Sequence, residues 1–297
     1  MVTCLSTLTR LETLCFGFIS PLSRPDQPSQ LLPPFEHVVI PSLRQLEFEG
    51  VCEYLEDLVA RIDTPVLRQF RIRFFNQLIF GVTQLHQFIG RTETLTAPDH
   101  ADIFFSEDNV EAILSTQTGS ILLGVSCHGT DWQLSFLSQV CGRSLPAISN
   151  IERLDIREKK MRYSPLGDDV ENAQWLELLL PFMAVTELYL SEELALRCVP
   201  ALQQLVGEVG TGALPTLQNL FLEEFRLSDS VQEVIGQFVA ARELSGNSVA
   251  IHHKTPRQEL RPNDFPMSSR SLSVFGSVMA NMRLPDTMLS SLAQLFV

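Results

Sequence analysis

The segment LPTLQNLFLEEF, residues 214 to 225, sets Leu217, Leu220 and Leu222 at fixed offsets, and the same offsets recur in the distant stretches IPSLRQLEFEG and TPVLRQFRIRF. Aligned on Leu220-x-Leu222, further copies stand at Leu14-x-Phe16, Leu46-x-Phe48, Phe70-x-Ile72, Leu95-x-Ala97, Leu123-x-Val125, Leu154-x-Ile156, Leu188-x-Leu190 and Val249-x-Ile251. Most carry another apolar residue three positions ahead, at Leu11, Leu43, Leu67, Ile151, Val185 and Leu217, with Thr92 the departure. A two-residue alternation is the period of a strand with one buried face, so each copy predicts a short strand.

Between the copies the spacing becomes helical. CEYLEDLVARI groups Tyr54, Leu55, Leu58, Val59 and Ile62 on one side, and SDSVQEVIGQFVAAREL groups Val231, Val234, Ile235, Phe238 and Val239. SEDNVEAILSTQ opens on Ser106, a capping residue type, and then places Val110, Ile113 and Leu114 together, which predicts a further helix. EELALRCVPALQQLVGEV also predicts a helix, kinked or split at Pro200.

A strand-then-helix unit of this size cannot bury its apolar face alone, whereas stacked copies form one continuous core. Successive pairs lie 24 to 34 residues apart, at or above the usual leucine-rich-repeat period of about 20 to 29 residues. The fold class expected is α/β: an irregular leucine-rich-repeat (ribonuclease-inhibitor-like) solenoid, with strands on the concave face and helices on the convex face. The domain reading places this solenoid over residues 1–255, a polar linker over 256–271 and a C-terminal helical appendage or cap over 272–297. Within the last segment Val274, Phe275, Val278, Met279 and Met282 recur at helical spacing.

Two loops stand out. Residues 20–37 carry five prolines and predict a surface excursion, with recognition by a proline-binding domain the sharper alternative. Residues 157–170 cluster Arg157, Lys159, Lys160 and Arg162, read as a solvated loop or a local basic contact.

Composition narrows the function classes. The 297 residues are 45% apolar, enough for a sizeable core. A formal charge of −13 disfavours a general grip on nucleic-acid phosphates or anionic lipid, so neither nucleic acid nor membrane is expected as a partner. The six cysteines contain no C-x-x-C pair, and scattered cysteines in apolar stretches suit reduced thiols rather than a zinc site or a disulfide framework. The longest apolar run, WLELLLPFMAV, is too short to span a bilayer, and the N-terminus lacks a signal-peptide pattern. A cytoplasmic or nuclear location is expected.

Reaction chemistry is harder to find. GVSCHG at 124–129 has His128 where a nucleophile elbow requires glycine, and Cys127 and His128 as strand neighbours would point to opposite faces. GEVGTG at 207–212 follows a helix and precedes a strand, the reverse of a phosphate cradle. The six histidines show no metal-ligand spacing. No enzymatic activity, no cofactor and no metal are expected.

What remains is a surface. Residues alternating with the buried ones would line the concave face, and among them Glu47, Glu49, Arg71, Arg73, Arg153, Asp155, Arg157, Tyr189, Phe221 and Glu223 are the candidate protein-binding residues. Arg71 and Arg73 lie beside an acidic strand, and simple cross-strand pairing is the rival account of them. Tyr189 and Phe221, one repeat apart, are expected to form an exposed apolar step.

In LPAISNIERLDIRE, WLELLLPFMAVTELYLSEEL and LPTLQNLFLEEFRLSDSVQEVIGQFVAARELSG the chain resembles fungal, particularly basidiomycete, F-box/leucine-rich-repeat-like proteins, over residues 1 to 255. The resemblance implies a solenoid that presents a substrate to a cullin-type ubiquitin ligase docked by an N-terminal F-box. No F-box-like helical segment precedes the first repeat in this sequence, which implies a late-starting reading frame or a paralogue without ligase docking. The function expected is a non-catalytic protein–protein interaction module with a protein partner. The alternative is the substrate-recognition part of an SCF-type ubiquitin ligase receptor, which would meet a ligase adaptor only if an F-box exists upstream.

Overall fold

The structure, a computed structural model, describes residues 9–18, 37–75, 81–127, 129–145, 148–158, 172–204, 213–223, 229–254 and 271–275. It is a mixed α/β chain whose sheets are mostly parallel and open rather than closed into a barrel. Two compact units divide it: Met1–Thr96, Thr118–Leu123 and Phe265–Val297 make the first, Ala97–Gln117 and Gly124–Asp264 the second.

In the first unit, β1 (Thr13–Gly17), β3 (Gln45–Gly50) and β5 (Gln69–Phe74) lie side by side in parallel. A separate small pair joins β2 (Val38–Val39) to β4 (Ile62–Asp63). The recurrent pairs of the sequence fall into register, Leu14 beside Leu46 beside Phe70, and Phe16 beside Phe48 beside Ile72. These six side chains are buried. Helix α1 (Cys52–Val59) follows β3 and buries Cys52, Leu55, Leu58 and Val59; α2 (Thr83–Arg91) buries Leu85, Phe88 and Ile89. Parallel neighbours need such crossovers, because a tight hairpin cannot return the chain in the same direction.

Helix α2 has no capping side chain of its own, since its N-cap position is Val82. Glu56 of α1 supplies the acceptors instead, taking the Gln84 N–H at 2.7 Å and the Leu85 N–H at 2.8 Å. At the other end Arg91 reaches back to the carbonyls of Val59 (2.5 Å) and Ile62 (2.7 Å), and its Nε lies 2.7 Å from Asp63. Helix α2 is thereby tied at its start to α1 and at its end to the segment that follows α1.

The second unit opens with an antiparallel hairpin, β6 (His100–Phe105) and β7 (Asn109–Ser115). From β6 the ladder runs in parallel through β9 (Arg153–Glu158), β10 (Glu187–Ser191), β11 (Asn219–Glu223) and β12 (Ala250–Lys254). Strand β8 (Ser120–Ser126) begins in residues of the first unit and ends in residues of the second. Leu154, Leu188 and Leu220 form one buried row, and Ile156, Leu190 and Leu222 the next. Helices α3 (Thr130–Ser144), α4 (Asn172–Leu179), α5 (Glu192–Gln204) and α6 (Asp229–Leu244) pack side by side in that order. Trp175 of α4 lies fully buried against Phe105, ring centroids 5.6 Å apart.

Four sequence expectations change here. Leu95-x-Ala97 is no strand: Glu93–Leu95 is a short 3-10 turn, and the strand follows at His100–Phe105, burying Ala101, Ile103 and Phe105. Residues 106–117 are not a helix. The Asn109 N–H does bond Ser106 Oγ at 3.2 Å, the hydrogen bond of an N-cap, but there it closes a hairpin turn and the chain returns along β6. Pro200 does not split α5, which runs through it. Residues 271–275, expected near the start of a helical tail, form strand β13 (Ser271–Phe275), parallel to β1 with Thr13 beside Ser271. The proline-rich loop, apart from His37, the basic loop beyond Glu158, residues 256–270 and residues 276–297 lie outside the described residues.

Candidate functional site

Parallel strands lie about 4.8 Å apart, close to the stacking distance of flat rings, so aromatic residues sharing a register row are brought face to face. On the side of the second unit's sheet away from Leu188 and Leu190, one row reads Asp102, Asp155, Tyr189, Phe221, His252. The Tyr189 and Phe221 rings stack with centroids 4.2 Å apart and planes 5° from parallel; Phe221 and His252 follow at 4.7 Å and 21°. Arg153 on β9 lays its guanidinium over Tyr189, 4.1 Å from the ring centroid. The result is one continuous stack, guanidinium, phenol, phenyl and imidazole, across four strands.

Hydrogen bonds fix its edges. The Tyr189 hydroxyl donates to Glu187 Oε2 at 3.1 Å, and the His252 Nε2 lies 3.0 Å from Asn219 Oδ1. Burial raises the Tyr189 pKa; Arg153 opposes that, and the bond to Glu187 adds to it. Exposure grows along the row: Tyr189 is 8% exposed, Phe221 half-buried and His252 exposed. Tyr189 is therefore the buried member of the expected step, and the open part of the stack lies at Phe221 and His252.

Beside the rings sits a buried ion pair. Asp155 is 1% exposed, and Arg157 binds both its oxygens, Nε to Oδ1 at 2.6 Å and Nη2 to Oδ2 at 2.5 Å. Arg153 approaches Oδ2 only at 3.9 Å. Asp102 stands in register with Asp155, an arrangement in which two carboxylates would repel, and it is His100 that meets Asp102, at 3.0 Å.

The first unit holds the other candidates. Glu47 Oε1 accepts from Gln45 Nε2 at 2.7 Å and faces Arg71 Nη1 at 3.4 Å, while Cys15 Sγ lies 3.4 Å from Oε2. Glu49 and Arg73 occupy the next register position. Cross-strand pairing thus accounts for Arg71. The structure collects Arg153, Asp155, Arg157, Tyr189 and Phe221 on one face; Glu223 belongs to the same strand as Phe221, opposite Ser191, and its side chain lies outside the described ones. Glu47, Glu49, Arg71 and Arg73 form a separate group in the other unit.

His100, Asp102 and His252 escaped the sequence reading. The first two were hidden by placing the repeat core at Leu95. His252 was not among the candidate residues, although alternation from Val249 already put it on the open face.

Cys15, Cys52, Cys127, Cys141 and Cys198 are buried and form no disulfide among the described residues. Burial, then Glu56 and Glu53, pushes Cys52 up to about 12; burial alone takes Cys141 to about 12; burial and then Asp131 take Cys127 to about 11. Among the described residues no three His, Cys, Asp or Glu side chains gather as metal ligands, and no helix is long and apolar enough to cross a membrane. No protein-family model, curated protein or solved structure matches this chain. Fold and face together define a mixed α/β protein that displays a polar and aromatic strip on a mostly parallel sheet.

Proposed function

We propose that the chain is a leucine-rich-repeat-type solenoid acting as a non-catalytic interaction module, and that it binds a protein through the open face carrying Arg153, Tyr189, Phe221 and His252. The reading is carried by the ring stack itself. Aromatic side chains anchor interfaces because they bury large, stiff surfaces at little entropic cost, and arginine because its planar guanidinium stacks and donates several hydrogen bonds. The stack also needs no further partner to be held in place, so its geometry is set before a ligand arrives, which lowers the cost of binding. The Asp155–Arg157 ion pair stands on the same face, beside the rings.

The test is affinity capture from the native cell with the full chain and with Tyr189→Ala/Phe221→Ala, both confirmed folded by circular dichroism. Proteins retained by the parent and lost by the variant support the reading. Identical captured sets from the two would reject it.

A further inference from the structure

The ring row stops at a strand whose outer side has no partner among the described residues. Among the described residues strand β12 pairs with β11 alone, and Ala250, Ile251, His252 and His253 are all exposed. Its hydrogen-bond phase can be read from one contact. The Ala250 N–H donates to Gln218 O at 2.8 Å, toward β11. Along a strand the backbone groups alternate sides, so Ile251 and His253 turn their N–H and C=O outward. The row geometry fixes a side-chain position as well. Each added strand has extended the stack by one ring, and the outer face of His252 marks where the next would lie. The strand's sequence, Ala-Ile-His-His-Lys, contains no carboxylate in a chain of net charge −13.

From this edge we infer that β12 is a docking site for an extended segment of a partner protein, which adds as a further strand. An aromatic residue of that segment stacks on His252, and acidic residues flank it. The inference rests on the interaction reading above and names where and how part of the partner sits. Main-chain hydrogen bonds to Ile251 and His253 supply affinity, and the ring position supplies selectivity, as in other strand-addition complexes.

The probe is a fluorescein-labelled peptide, Thr-Val-Asp-Phe-Asp-Val-Thr, titrated by anisotropy into the full chain. Binding should protect the Ile251 and His253 amides from hydrogen exchange. Replacing the peptide phenylalanine by alanine, or His252→Ala in the protein, should weaken binding about fivefold, the value of one aromatic contact. His253→Pro removes an outward N–H at a position where an edge strand tolerates proline, and should weaken binding more than tenfold with the thermal midpoint kept. If that variant does not fold, Ile251→Pro removes the other outward N–H independently.

Absent binding, or binding indifferent to both prolines, overturns the inference. So does a concentration-dependent dimer abolished by His253→Pro, which would assign the edge to a second copy. Loss of the peptide result while Tyr189→Ala/Phe221→Ala still loses its captured protein sinks the edge alone and leaves the interaction reading standing. Peptide binding alongside unchanged capture does the reverse.

Discussion

Asp155 is the most consequential side chain on the open face, because its charge is out of water and both its oxygens are occupied by one guanidinium. Asp155→Asn keeps the shape and removes the charge. Removing one partner from a buried pair costs about 3–5 kcal/mol when the other is left stranded. Arg157 and Arg153 are 20% and 26% exposed, so each regains part of its hydration. That relief lowers the expected loss to about 2–3 kcal/mol. Arg157→Met should lose a similar amount, and the double variant much less than the sum, a coupling of about 1–3 kcal/mol. Urea unfolding at 25 °C, followed through the fluorescence of Trp175, reports on this unit because that indole is buried on Phe105. A loss under about 0.5 kcal/mol for Asp155→Asn, or losses that simply add, would refute the idea that the pair holds the face together.

Further expectations concern side chains within each unit. Glu56→Ala removes both acceptors at the start of α2 and should cost about 2–3 kcal/mol in urea unfolding, while Glu56→Gln, keeping one acceptor, should cost about half as much. Burial raises the Glu56 pKa above its unfolded value, the Gln84 and Leu85 N–H groups only partly opposing it, so the folded chain holds the proton more tightly. The stability of the parent relative to Glu56→Gln should therefore fall as pH rises from the unfolded carboxyl range through the higher folded pKa; a difference that grows with pH there contradicts this. Arg242, 6% exposed with its pKa lowered by burial, donates to the carbonyls of Leu214, Pro215 and Leu217, in a loop where Leu214 takes φ 52°. Arg242→Met should cost about 1–2 kcal/mol, read as a lower urea midpoint. Iodoacetamide should leave Cys52, Cys127, Cys141 and Cys198 unmodified at pH 8 until the chain is unfolded, as peptide mapping by mass spectrometry would show, since all four are buried with raised pKa values.

The strand pairs were legible because their signal is local. Leu154-x-Ile156, Leu188-x-Leu190 and Leu220-x-Leu222 repeat the two-residue period of a half-buried strand, and their register followed from aligning the pairs. The amphipathic helices α1 and α6 were legible for the same reason, although Ile62, grouped with the face of α1, lies in β4. Tyr189 and Phe221 as row neighbours also came straight from that alignment.

Tertiary structure decided what local pattern left degenerate. Val110, Ile113 and Leu114 fit a helix face, while Val110, Ala112 and Leu114 fit a strand. The Ser106–Asn109 bond suits either, and the presence of β6 alongside settled it as a hairpin. Caps contributed from 28 or more residues away, Glu56 to α2 and Arg91 to the Val59 loop, leave no trace in the sequence of the element they complete. His252 became part of the stack only through its place beside Phe221, because ring stacking depends on a strand spacing that a single chain segment does not contain. Periodicity along the chain fixes which side of each element is apolar; which element lies next to it is a matter of long-range packing, and the open face was built by that packing.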